Sequence, residues 1–176
     1  MKNLLRVTGV RSVAHATFVL ELDEFVPLQF RSFREPLGAG YLRLGNYSST
    51  LIELAVEPYS QVLRGVTVTS IESLSPWPSF SVRALHQGLP VLATNFEGWK
   101  VLDLEEAFKV SACQGEIVVF WRDLGECEAC AFDRVRFLMR DGILAGVWFV
   151  GLTDGEVERF CSHARAVIRS PGAAGA

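Results

Sequence analysis

Cys127 and Cys130 stand at C-x-x-C spacing in GECEAC (125–130), the spacing of zinc knuckles and of redox pairs. A structural zinc site needs four converging ligands, usually recruited as two tight pairs. The other donors in the chain are Cys113, Cys161, His163 and the distant His15 and His86. Cys161 and His163 form C-x-H, but they fall on a helical segment, where residues two apart do not face the same way. A metal site therefore fails on geometry. A redox pair needs thiols whose pKa is lowered by cations or a helix N-terminus. Here Glu126 and Glu128 flank the cysteines and oppose thiolate formation. The expectation is a reduced turn, with Cys130 toward the core and Cys127 exposed.

No other catalytic pattern is present. The chain has no G-x-S-x-G elbow, P-loop, G-x-G-x-x-G or H-E-x-x-H. GAGYLRLG (38–45) has glycines at the wrong spacing for a dinucleotide turn. His15 reads as structural. His86, in LSPWPSFSVRALHQGLP (74–90), is the best single acid–base candidate, but no nucleophile can be placed beside it. The chain is therefore expected not to be an enzyme, with no cofactor and no metal.

The acidic residues offer a different chemistry. Asp103, Glu105 and Glu106 form one cluster, and Asp123, Glu126 and Glu128 form a second. Trp99 precedes the first and Trp121 the second. Solvated loop charges are the plain reading of any one of these acids. Acids beside aromatics are also the composition of a protein interface, aromatic anchor within a polar rim. Either tryptophan fits a core position equally well. The candidate partner-binding residues are Asp103, Glu105, Glu106, Trp121, Asp123, Glu126 and Glu128.

These residues must be held by strands. TFVLEL (17–22) reads as a first strand, and FVPLQFRSFREPLGAG (25–40) as an irregular connection. Ile52, Leu54 and Val56 alternate with polar neighbours, and Val66 and Val68 alternate with Thr67 and Thr69. With the Pro58–Ser60 turn between them they make a hairpin, and Gly65 marks a possible bulge position. Residues 74–90 contain three prolines and read as a long surface connection. Asp103 reads as a short helix cap or as part of a loop. EIVVFW (116–121) is a strand apolar enough to be covered on both faces. Another strand spans 132–139, Asp141-Gly142 is a hairpin turn, and ILAGVWFVG (143–151) is its central partner. Thr153 and Glu156 form a capping box opening a helix, with Val157, Phe160, Cys161, Ala164 and Ile168 on one stripe. The fold class is α+β: a mainly antiparallel sheet built from hairpins, with a C-terminal helix packed on it. Residues 1–170 are expected to form one domain and 171–176 a disordered tail.

The bulk composition narrows the classes. Of 176 residues, 49% are hydrophobic and 21% charged, which is the balance of a globular protein. The net charge of −3 builds no field for nucleic acid. No stretch approaches the apolar length of a membrane span, and Arg6, Arg11 and His15 interrupt any signal-peptide core. A cytoplasmic protein with reduced thiols is expected, with no nucleic-acid or membrane partner. No oligomeric state follows from the sequence.

Two stretches carry a resemblance. YLRLGNYSSTLIELAVEPYSQVLRGVTVTSIE is similar to a hairpin pattern of small bacterial immunity proteins, which protect cells from polymorphic and contact-dependent growth-inhibition toxins. FDRVRFLMRDGILAGVWFVGLTDGEVERF resembles their second half, where paired strands lead through Leu-Thr into a helix. The resemblance covers about two thirds of the chain. It implies stoichiometric binding of one cognate toxin domain, nucleases being among the kinds it implies, by occlusion, and it brings no catalytic residues. The rival expectation is a small-molecule binder or enzyme with a pocket under the 74–90 connection, lined by Trp77, His86 and Trp99.

Overall fold

The computed structural model describes residues 4–12, 16–33, 38–94, 96 and 100–168. His15, Trp99, the side chain of Ile168 and the expected tail at 171–176 lie outside the described residues. In chain order the strands are β1 (Val7–Arg11), β2 (Val19–Glu21), β3 (Leu28–Arg31), β4 (Gly40–Gly45), β5 (Leu51–Val56), β6 (Leu63–Ser70) and β7 (Phe80–Gln87). They continue with β8 (Leu89–Leu92), β9 (Val101–Leu104), β10 (Lys109–Cys113), β11 (Glu116–Phe120), β12 (Gly125–Phe132), β13 (Val135–Arg140) and β14 (Ile143–Phe149). The helix α1 spans Asp154–Ile168.

The hairpins assemble into two six-stranded sheets, where the sequence pattern led us to expect one. The first sheet runs β2-β3-β6-β5-β4-β9 and the second β10-β11-β14-β13-β12-β7; β1 and β8 form a separate two-stranded ladder. The sheets share one core. Phe30 of β3 lies 6.1 Å from Phe132 of β12 and 6.0 Å from Phe137 of β13, ring centre to ring centre. Leu42, Leu54 and Val66 of the first sheet are as fully buried as Val119, Val135 and Val147 of the second. Residues alternate in and out along each strand, so one face of each sheet supplies this layer.

The helix joins both sheets. Its capping box forms as the spacing requires: the Glu156 amide donates to Thr153 Oγ1, and the Thr153 amide donates to Glu156 Oε2 at 2.7 Å. Phe160 and Ala164 enter the shared core, with Val157 packed against it. Arg159 donates to the Leu22 carbonyl at the end of β2, and the His163 ring meets the Asp23 carbonyl at 2.7 Å.

Several expectations hold. β5 and β6 pair antiparallel, and the register slips where Gly65 stands opposite Ala55, so a bulge does fall there. β13 and β14 pair about Asp141 and Gly142, both with positive φ, as that two-residue turn demands. β11 is covered on both faces: Ile117 and Val119 face the shared core, and Val118 faces a second cluster.

Others are corrected. The 25–40 connection contains β3, whose Leu28 and Phe30 are fully buried, and β1 precedes the strand expected to be first. Residues 74–90 are not a surface connection throughout. After Pro78 the chain enters β7, and Gly88 at φ 130° turns it into β8. Alternation in FSVRAL was the available signal; three nearby prolines obscured it. Asp103 neither caps a helix nor lies in a loop. It is the third residue of β9, which pairs in parallel with β4.

Candidate functional site

The C-x-x-C pair lies in a strand, not a turn. β12 is held antiparallel to β13 and parallel to β7, both within the second sheet. Residues three apart on a strand face opposite ways. Cys130 enters the shared core and its Sγ touches Met139 Sδ at 3.7 Å. Cys127 is on the outer face with Val118, Ala129 and Leu138. The expected exposure of Cys127 is therefore corrected: it is 1% exposed, its thiol donating to the Ser81 carbonyl at 3.4 Å. The two thiols cannot converge on an ion or form an intrachain bond. Among the described residues, no group of three or more His, Cys, Asp or Glu is placed to hold a metal.

Burial raises both thiol pKa values, that of Cys130 from 9.0 to about 12 with help from the Glu128 charge. In the unfolded chain Cys130 ionises near its ordinary value. Its contribution to stability is thus complete below about pH 8.5 and is lost as pH rises toward 12. A thiol reagent at pH 8 is expected to modify exposed Cys113 within minutes and to leave Cys127 and Cys130 untouched until the protein is denatured. Rapid native labelling of either buried cysteine, located by peptide mass mapping, would contradict this placement.

His86 sits on β7 opposite Cys130, with Nε2 3.6 Å from Glu128 Oε2. Leu85, opposite Ala129, faces the other side. Trp77 is on that other side too, its ring 6.5 Å from Phe80. The strand thus separates Trp77 from His86, and these two do not line one pocket beneath a loop.

The acidic residues divide among elements. Asp103 on β9 receives a two-pronged hydrogen bond from Arg43 of β4, at 2.7 and 2.9 Å. That bond holds the Asp103 carboxyl below its ordinary value. Glu106 pairs with Arg122 at 3.1 Å, and the neighbouring Asp123 pairs with Arg140 at 2.6 Å. Glu126 and Glu128 both face Arg83 of β7, at 3.8 and 2.6 Å. Hydrogen bonding to Arg83 lowers the Glu128 pKa. Of the first cluster, Glu106 alone is joined to the second, through Arg122. Glu105 stands apart, lining an open groove with Tyr47 and Glu72.

Trp121 takes the core position. It is 6% exposed and its indole N–H donates to the Leu144 carbonyl at 2.8 Å, so its ring offers no surface to a partner. The aromatics near the second cluster that do reach the surface were missed in the sequence. Trp148 and Phe80 meet edge to face at 5.3 Å on the outer face of the second sheet, with Phe120 and Val82 beside them. Leu85, 51% exposed, extends this face at its edge. The signal was present: Trp148 alternates with core-facing Val147 and Phe149. The run ILAGVWFVG is so apolar that its two faces cannot be told apart by residue type.

No helix among the described residues is long and apolar enough to cross a membrane. No protein-family model matches the chain, and no curated protein matches it.

Proposed function

We propose that this chain is an immunity protein that binds the toxin domain of a competing or sibling bacterium and blocks it by stoichiometric occlusion in the cytoplasm. The observation that carries this reading is the charged rim of the second sheet. Glu106–Arg122 joins one acid of the first cluster to the second, where Asp123–Arg140 and Arg83 with Glu126 and Glu128 form a charged rim. The rim follows the β7 edge of the second sheet, whose outer face carries Phe80, Val82 and Trp148 while Glu126 and Glu128 lie across the strand from them. Apolar centre and polar rim are the two parts of an interface that sequesters a partner.

The arginines give the rim its mechanism. Glu106, Asp123 and Glu128 each accept an arginine hydrogen bond before a partner arrives, which lowers the ordering cost of association. Asp123 and Glu126 remain 82% and 65% exposed at the side chain, open to a cationic surface. Carboxylates outnumber guanidiniums in this part of the rim, so it steers a basic domain toward itself and raises the encounter rate. The aromatic face then slows dissociation.

The partner is identified by co-purification with the tagged chain, and its affinity for the purified protein is measured by calorimetry. Asp123→Lys, Glu126→Lys and Glu128→Lys together are expected to weaken toxin binding about tenfold or more at low salt. The melting temperature should stay within a few degrees, because these side chains are exposed. An isosteric set, Asp123→Asn with Glu126→Gln and Glu128→Gln, guards against strain beside Arg83 and Arg140. Unchanged affinity in both sets would remove this rim from the interface; absence of any toxin partner would sink the functional reading.

A further inference from the structure

We infer that the groove between the β4–β5 turn and the 105–108 segment receives an arginine side chain of the bound partner. The inference rests on the protein-binding reading above and adds a second, separate contact to it.

The groove is built, not incidental. It has a volume of about 510 Å³ and is lined by Asn46, Tyr47, Thr50, Glu72, Glu105 and Phe108, among others. That volume is within the range of ligand sites. Its turn wall is fixed before anything binds. Asn46 Oδ1 accepts the amides of Ser48, Ser49 and Thr50, and the Asn46 amide group donates to Ser49 Oγ. The Tyr47 hydroxyl donates to the Arg43 carbonyl at 3.1 Å, which fixes the ring at the groove.

The groove's charge names the occupant. Two neighbouring carboxylates have guanidinium partners: Asp103 has Arg43, and Glu106 has Arg122. Among the described residues Glu72 and Glu105 have no cation within ion-pair distance, and Glu72 accepts only the Ser49 hydroxyl. Arg43 approaches the Tyr47 ring but is held by Asp103. Lys109 lines a smaller neighbouring depression that Glu72 also borders, and it makes no ion pair with either glutamate. A concave site with aromatic walls and two unneutralised carboxylates is complementary to one cation. Guanidinium fits better than ammonium: it is planar, weakly hydrated, stacks on rings and presents donors in several directions.

The test needs no toxin to begin. N-acetyl-arginine amide is titrated into the labelled protein and followed by amide NMR, beside N-acetyl-citrulline amide, its neutral isostere. Arginine amide is expected to move the signals of Asn46, Tyr47, Thr50 and Ala107 at millimolar concentration. Citrulline amide should bind at least about threefold more weakly. Glu72→Gln and Glu105→Gln should each weaken arginine amide about threefold, and together about tenfold. Equal binding of citrulline, indifference to both glutamine variants, or shifts confined to another surface would overturn the inference. Tighter binding of free agmatine than of arginine amide would make the groove a small-amine site and would equally overturn it.

The same variants separate this inference from the reading beneath it. The Glu72→Gln/Glu105→Gln protein should bind the co-purified toxin about tenfold more weakly than wild type. Equal toxin affinity would defeat the arginine contact and leave toxin binding standing. Failure to capture any toxin would defeat the functional reading, and the partner's arginine with it.

Discussion

Phe30→Ala is expected to lower the stability of this protein by about 3–5 kcal/mol, the range for truncating a fully buried phenylalanine. Phe30 has no exposed surface, and its ring stands 5.6 Å from Phe18, 6.1 Å from Phe132 and 6.0 Å from Phe137. Phe18 precedes β2 in the first sheet, whereas Phe132 and Phe137 belong to the second. The substitution therefore opens a cavity where the two sheets meet. Those walls are backbone-paired strands on both sides, so they cannot collapse to fill it. A domain is typically stable by only about 5–15 kcal/mol, and the variant should lie near its folding limit. Urea unfolding followed by tryptophan fluorescence measures the loss. A cost below about 1 kcal/mol would mean that Phe30 is not shared between the sheets.

Gly45→Ala is expected to cost about 3 kcal/mol and to spoil the groove. Gly45 ends β4 at φ 137°, a backbone region nearly closed to other residues. A Cβ there would overlap the Thr50 carbonyl oxygen and stand 2.8 Å from its carbon. Both are backbone atoms of the residue that leads into β5, so neither can swing aside. The turn that Asn46 organises must then shift. Gly142→Ala is the control. Its φ is also positive, at 71°, but its Cβ would meet nothing within 4 Å. That variant should lose only about 1 kcal/mol. Thermal unfolding compares the two directly, and similar losses would show that backbone strain alone, not the clash with Thr50, sets the cost. Because Gly45 also lines the groove, its variant should lose arginine-amide binding while the Gly142 variant keeps it.

Much of the architecture was legible before the structure, and for local reasons. The β5–β6 hairpin announces itself by alternation, the β13–β14 turn by Asp141-Gly142, and the helix start by Thr153 and Glu156. In each case the interacting groups are a few residues apart, so spacing alone determines whether they meet. β12 was hidden for the opposite reason. GECEACAF alternates small residues with acids, and nothing in it identifies a strand buried on both sides. Its order comes from β7, a parallel partner about forty-five residues earlier, and from a cover of Phe80, Phe120 and Trp148 over its small side chains. β3 and β9 are similar cases, short strands that persist because a neighbouring strand supplies their hydrogen bonds.

The candidate site divides along the same line. By itself the sequence determined the residue types: two acidic clusters, and cysteines flanked by glutamates. It also determined the hairpins and the helix that carry them. Only the tertiary structure decided which acids are neighbours, by pairing Glu106 with Arg122 and placing Arg83 against Glu126 and Glu128. It placed Trp121 in the core and Trp148 half-buried on the outer face, and among the described residues it left Glu72 and Glu105 without a cation at one groove. Charge pairing and burial depend on distances between segments remote in the chain. Those distances are set by how twelve strands divide between two sheets, a choice that the packing of the shared core makes and no local pattern records.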